Sequence, residues 1–327
     1  MDGFKFQEQA KYALVAVNMA YTDLPQDKDW KYKLSDGTWI ICQMPVSIEA
    51  FWKEWIGTIG LEALEESNLI MLCSESSTTD PMVLGEHGER LKKRISDIFY
   101  LLQLSGILGY EEANLLCGSF FEGKSNVRQM GEFFPFYPTK GHTLVPVNIK
   151  RLEKAAQLSK TFEEIDSIPD DFKRLKWGFW VLMDGLQKKH GEERIHQFVR
   201  SLEALILPEI GRTRAQFVHR CQTFAKASHN TKQILEEAFD LRSMAEHLND
   251  WEQALNSHPR DDRETVALHR TRQMEQLASF AYSHILESRT VLNHFINEKK
   301  LGQFWGDKDD KDRRNIWGTQ LDLTLIG

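Results

Sequence analysis

A chain of 327 residues predicts two domains more readily than one. With 41% hydrophobic and 27% charged side chains it has the composition of an ordinary soluble protein, and no apolar run approaches the roughly 20 residues of a membrane helix. A net charge of −7 argues against a sequence-independent grip on long nucleic acid.

In chain order, Met1-Asp-Gly-Phe-Lys-Phe lacks the basic-then-apolar layout of a secretory signal. Trp30 to Leu34, the turn Ser35-Asp-Gly-Thr38 and Trp39 to Cys42 read as a β-hairpin. Ile48 to Leu64 is partly helical in pattern, Leu69 to Cys73 is a short buried strand, and Ser74 to Pro81 is a loop. Arg90 to Leu104 suits an amphipathic helix, and Gly118 to His142, rich in Gly, Phe and Pro, reads as loop or short strands.

From about residue 146 the texture turns helical. Phe172, Leu175, Phe179, Leu182, Met183 and Leu186 share one face, as do Ile195, Phe198, Val199, Leu202, Leu205 and Ile206 before Pro208. Thr213 is a candidate cap for a third helix carrying Phe217, Val218, Cys221 and Phe224. Asn230 with Gln233 resembles a capping pair opening a fourth, whose inward residues are Ile234, Leu235, Ala238, Leu241, Ala245 and Leu248. A long helix is expected from about Asp262 to Asn297, and then a charged loop from Phe304 to Arg314. The fold class expected is α+β: a mixed α/β domain over 1–145 with a sensing or regulatory role, a helical bundle over 146–303 and a charged tail over 304–327. The acidic excess rests on the first 145 residues, because 28 basic side chains balance 28 acidic ones from residue 146 onward. A neutral half with local basic clusters is compatible with a short RNA substrate.

An arginine and a histidine close in space can cut RNA without a metal: the histidine handles a ribose 2′-OH proton and the arginine stabilises charge on the phosphate. Arg242-Ser-Met-Ala-Glu-His247 has such a pair. The spacing recurs in Arg212 and Arg214 with His219, Arg263 with His269 and Arg289 with His294, whereas composition alone predicts about two matches. On a regular helix, residues five apart diverge by about 140°, so a shared site needs an irregular helix or a second subunit. A structural role is also open, with Arg242 and Glu246 as an i,i+4 ion pair.

Four stretches give the spacing a context. They are Phe172 to Trp180, Arg194 to Leu205 with its Leu-Glu-Ala-Leu ending, Arg214 to Ala225, and Phe239-Asp-Leu-Arg-Ser-Met-Ala-Glu-His247. In this order they resemble the Apea-like branch of the HEPN families. The resemblance is clearest over residues 172–250; Trp52 to Gly57 and the Trp-Gly repeats near residues 305 and 317 add a looser likeness. It implies a helical domain that dimerises and often cuts RNA without metal, commonly as a toxin or phage-defence effector. It assigns catalysis to Arg242 and His247 and puts Ser243 at the polar position after the arginine, where the family often has Asn, Asp or His; Glu246, four residues after Arg242, is a further supporting polar candidate. Leu248 stands where the family commonly has glycine, which predicts a helix running on past His247.

Lys188, Lys189, Arg212, Arg214 and Arg220, with Arg194, are candidates for an RNA path, although solvated helix faces are the commoner role of such residues. His219 reads as a boundary histidine, and Trp52, Trp55, Trp177 and Trp180 as core. Gly118 to Lys124 lacks Walker A spacing, and Asp307 to Asp312 lacks the glycine and terminal glutamate of a calcium loop. Four scattered cysteines form no CxxC pair, so neither disulfides nor a zinc site are expected. The expectation is a cytoplasmic homodimer without cofactor or metal, with RNA as substrate, an antitoxin or trigger protein as a further partner, and no membrane. The alternative is a non-catalytic dimerisation and RNA- or protein-binding module.

Overall fold

Lys11 to Val17 are all buried, and this unbroken run is strand β1 (Ala10–Met19) inside a sheet. Burial on both faces removes the alternation that marks a half-exposed strand. There follow β2 (Lys31–Lys33), β3 (Trp39–Ile41), α1 (Ala50–Glu65), β4 (Leu69–Ser76), α2 (Gly85–Leu102), β5 (Tyr110–Phe121) and β6 (Lys124–Glu132). The computed structural model describes residues 7–27, 29–45, 48, 50–80, 82–139 and 144–326. The start at Met1 to Phe6, Pro81 and His142 lie outside the described residues.

The strands form one sheet in the order β2-β3-β4-β1-β5-β6, with every pairing antiparallel. Tyr12, Leu14 and Ala16 pack with Ile70, Leu72, Leu116 and Val127 against Leu64, Trp52 and Ile56 of α1. Helix α2 lies along β1, β4 and β5 and buries Leu91, Ile95, Ile98 and Leu102. Each such side chain contributes roughly 1.5–3 kcal/mol of transfer free energy. The expected hairpin is β2–β3, closed by the Leu34 amide on the Thr38 carbonyl at 2.8 Å. Two expectations need correction. Ser74 to Ser76 continue β4 opposite Tyr12 to Ala10 instead of forming a loop. Residues 118–132 belong to the long β5–β6 hairpin, whose turn residues Glu122 and Gly123 both have positive φ (51° and 72°). That is a type I′ turn made without its usual Asn-Gly or Asp-Gly.

The remaining elements are α3 (Ile149–Asp166), α4 (Lys173–Gln187), α5 (Gly191–Ile206), α6 (Thr213–Cys221), α7 (His229–Glu246), α8 (Arg263–Glu287), α9 (Arg289–Leu292), α10 (Glu298–Gly306) and α11 (Asp310–Trp317). The α+β chain divides into residues 1–136 with 144–163, and residues 137–143 with 164–327. The division falls inside α3 instead of before it, and residues 304–327 belong to the helical unit.

In that unit α4 and α5 pack closely because α4 supplies glycines. A Cβ on Gly178 would meet the Tyr282 hydroxyl at 1.9 Å and Ala204 Cβ at 2.6 Å; one on Gly185 would meet Phe198 at 2.9 Å. The Tyr282 hydroxyl donates to the Ser201 carbonyl at 2.8 Å, tying α8 to α5. The caps differ from expectation. Thr213 lies inside α6, after Arg212, and Ser228, not Asn230, caps α7 by accepting from the Thr231 amide at 3.0 Å. The long helix breaks at Ser288, which caps α9. The charged loop is mostly helix: Asp309 accepts from the Asp312 amide at 2.8 Å and starts α11, while Phe304, Trp305 and Trp317 are buried. Beyond α11, the Gln320 amide reaches the carbonyls of Gln222, Thr223 and Ala225 at 3.0–3.1 Å. Leu321 bonds the backbone of Phe224 and Lys226. Among the described residues, no helix is long and apolar enough to cross a membrane.

Candidate active site on helices α5 and α7

Ile234, Leu235, Ala238 and Leu241 bury one side of α7, as their spacing predicts, but Ala245 is half-buried and Leu248 is 94% exposed. The reason is that the helix stops. His247 is its C-cap, the Leu248 amide bonds the Ala245 carbonyl at 3.3 Å and the Asn249 amide bonds the Met244 carbonyl at 3.0 Å. This bond pattern is a Schellman turn, with Leu248 at φ 55° in the position that favours glycine. The missing glycine therefore does not extend the helix. It puts a leucine in a left-handed conformation costing roughly 1–2 kcal/mol and leaves His247 exposed at the helix end.

Arg242 sits one turn earlier, 16% exposed, between two carboxylates. Its Nη1 donates to Glu246 on its own helix, and its Nη2 donates to Glu203 Oε2 on α5 at 3.2 Å. The guanidinium also lies 5.7 Å from the Phe239 ring centroid. The expected Arg242–Glu246 pair is present, and Glu203 joins it. Ser243 is half-buried and accepts the His247 amide through its carbonyl at 3.2 Å.

The α5 side of this site was not singled out in the sequence. His196, Arg200 and Glu203 stand at i, i+4 and i+7, a spacing that stacks them on one helix face. Among the described residues, His196 Nε2, Glu203 Oε1 and Arg242 Nε are buried without hydrogen-bond partners. Burial, then Arg242 and Arg200, holds the His196 imidazole below its ordinary pKa against the opposing pull of Glu246. Burial raises the Glu203 carboxyl even beside Arg242. The only sequence signal was the polar i, i+4, i+7 stripe on a helix whose other side is apolar. Chemically, the cluster offers an arginine held by anions, which fits phosphate oxygens, and a neutral imidazole able to accept a proton.

The basic candidates are engaged elsewhere. Lys188 pairs with Asp184 at 3.0 Å, Lys189 lies over the Tyr137 ring at 5.2 Å, and Arg212 pairs with Glu209 at 3.6 Å. Arg214 makes a bidentate pair with Asp240 at 2.7 and 2.8 Å. Arg220 donates to the Ile206 and Leu207 carbonyls at 2.7 Å, holding the end of α5. Arg194 is 2% exposed and bound to Glu275, which removes it from any RNA path. Three expected core tryptophans are exposed: Trp55 by 54%, Trp177 by 68% and Trp180 by 42%. His219, expected at the helix boundary, is exposed and lies 3.0 Å from Asp310. A cavity of 560 Å³ in the helical unit is lined by Leu241 and Trp251 but not by Arg242 or His247. Among the described residues, no His, Cys, Asp and Glu side chains group as metal ligands, and all four cysteines are free. No family model, curated protein or solved structure matches this chain.

Proposed function

We propose that the protein is a metal-independent endoribonuclease of HEPN type, acting in bacterial defence or as a toxin. The observation that supports this most is that Arg242, oriented by Glu203 and Glu246, and an exposed His247 stand at the end of one helix. In this reading Arg242 stabilises the scissile phosphate, and His247 acts on the 2′-OH as base or orienting group, giving a 2′,3′-cyclic phosphate. Because the two residues leave the helix about 140° apart, the active form is a homodimer in which each subunit completes the other's pair. The mixed domain senses the trigger or restrains the nuclease, with an antitoxin as a further partner. The test is RNA integrity and growth on inducing the wild-type chain beside Arg242→Ala and His247→Ala, with cleavage repeated in EDTA. Cleavage that persists in EDTA and is lost in both variants is the expected result.

The Arg242–Glu203 ion pair favours a second reading, a non-catalytic module that dimerises and binds RNA or protein, in which Arg242 joins two helices. RNA left intact by the wild type, with phage infection supplied as trigger, selects that reading.

A further inference from the structure

We propose that His196 is the proton acceptor of this site, taking the ribose 2′-OH proton at Nε2 while Arg242 holds the phosphate; this rests on the ribonuclease reading. The bond from Arg242 Nη2 to Glu203 Oε2 at 3.2 Å registers α5 against α7. It places the stripe of His196, Arg200 and Glu203 beside Arg242 and Glu246, the charged groups that act on His196 from the two helices. Unfilled guanidinium Nε atoms also occur at the structural arginines Arg194 and Arg313, so what sets this cluster apart is an unfilled imidazole nitrogen and an unfilled carboxylate oxygen on one helix face, each costing roughly 1–3 kcal/mol. Two of the cluster's three unfilled atoms are complementary to a phosphodiester with its neighbouring hydroxyl, and the third, Glu203 Oε1, is an acceptor. In its Nδ1–H tautomer the buried His196 Nε2 accepts from the 2′-OH, and the buried Arg242 Nε donates to a phosphate oxygen, once a side chain moves aside. Glu246, whose side chain is 40% exposed, is the carboxylate free to swing off Arg242 and admit that oxygen.

In the step, the O2′–P bond forms and the P–O5′ bond breaks. The 2′-OH proton passes to His196 Nε2, and the leaving 5′-oxygen takes a proton from water. The products are a 2′,3′-cyclic phosphate and a 5′-hydroxyl, with no oxidant or reductant involved. His247 then orients the substrate from the helix end.

The test is the pH–rate profile of the full-length protein on a mixed-sequence RNA oligonucleotide in EDTA, for wild type, His196→Gln and His247→Gln, with melting temperatures. His196→Gln is expected to slow cleavage by about 100-fold or more and to remove the acid limb, while His247→Gln keeps the limb at whatever rate remains. Cleavage by a folded His196→Gln within about threefold of wild type overturns the proposal, as does a slow variant with its acid limb intact. Should His196→Gln not fold, His196→Asn takes its place under the same two criteria. Wild-type protein that leaves RNA intact removes the ribonuclease reading itself, and the proposal with it.

Discussion

Two arginines of the helical unit, Arg194 and Arg242, each meet a glutamate across a helix–helix contact, but their surroundings differ. Arg194 and Glu275 are each only 3% exposed in their side chains, and Arg194 also donates to the carbonyls of Tyr137 and Lys188 and to Thr139. Backbone carbonyls cannot swing away, so that guanidinium is fixed. Arg242 is 16% exposed, and its hydrogen-bond partners are two carboxylate side chains, one of them 40% exposed. Side-chain carboxylates can leave and be replaced by another anion. The first arrangement holds the bundle together; the second presents a cation that a phosphate can take over. An arginine–glutamate contact between two helices is therefore not enough to mark a structural arginine, and the identity of the remaining acceptors separates the two.

The largest effect that sharpens this contrast is Arg194→Met. Leaving Glu275 buried without its cation is expected to cost about 3–5 kcal/mol in denaturant unfolding, and Arg194→Met with Glu275→Leu should recover much of it. Arg242→Ala should behave in the opposite way, lowering RNA cleavage by about 10²–10³-fold while costing about 1 kcal/mol of stability. An unfolding cost as large as that of Arg194→Met would erase the distinction. Leu248→Gly relieves the left-handed leucine and should stabilise the fold by about 1 kcal/mol, read as a rise in the unfolding midpoint.

The smallest effect is a pH dependence. The folded pKa of His196 is depressed, so the unfolded chain binds its proton first as pH falls. The stabilising contribution is full above the unfolded value of about 6.5 and is lost as pH falls through the folded value. His196→Gln should therefore flatten the stability profile below pH about 6.5. A wild-type profile that is already flat there would mean that His196 titrates alike in both states.

The helical half was the more legible part. Phe179, Leu182 and Leu186 of α4, and Phe198, Leu202 and Leu205 of α5, carry a 3.6-residue period that survives because one face of each helix is solvated. Strand β1 was missed because both its faces are buried, which leaves Ala-Leu-Val-Ala-Val with no alternation to detect. The β5–β6 hairpin was hidden by its turn, since Glu122 tolerates a positive φ without advertising it. At the candidate site, Arg242, Glu246 and His247 are local in sequence and their helix was readable. His196 and Glu203 were not, because their relation to Arg242 exists only once α5 packs on α7. Ser228 outcompetes Asn230 as the cap of α7 by two residues, a margin that pattern alone does not resolve.

The segment after α11 has a consequence in time. Gln320 and Leu321 bond to the end of α6 and the residues after it, and Gln273 of α8 donates to the Leu323 carbonyl at 3.0 Å. During synthesis, α7 therefore leaves the ribosome roughly 75 residues, and α5 roughly 115 residues, before the segment that ties α6 and α8 down, since domains fold as their sequence emerges. Ribosome-bound chains stalled with residue 300 exposed should be cut readily by protease between α6 and α8, and chains stalled past residue 326 should resist. Equal resistance at both lengths would show that the bundle closes without its C-terminal clasp.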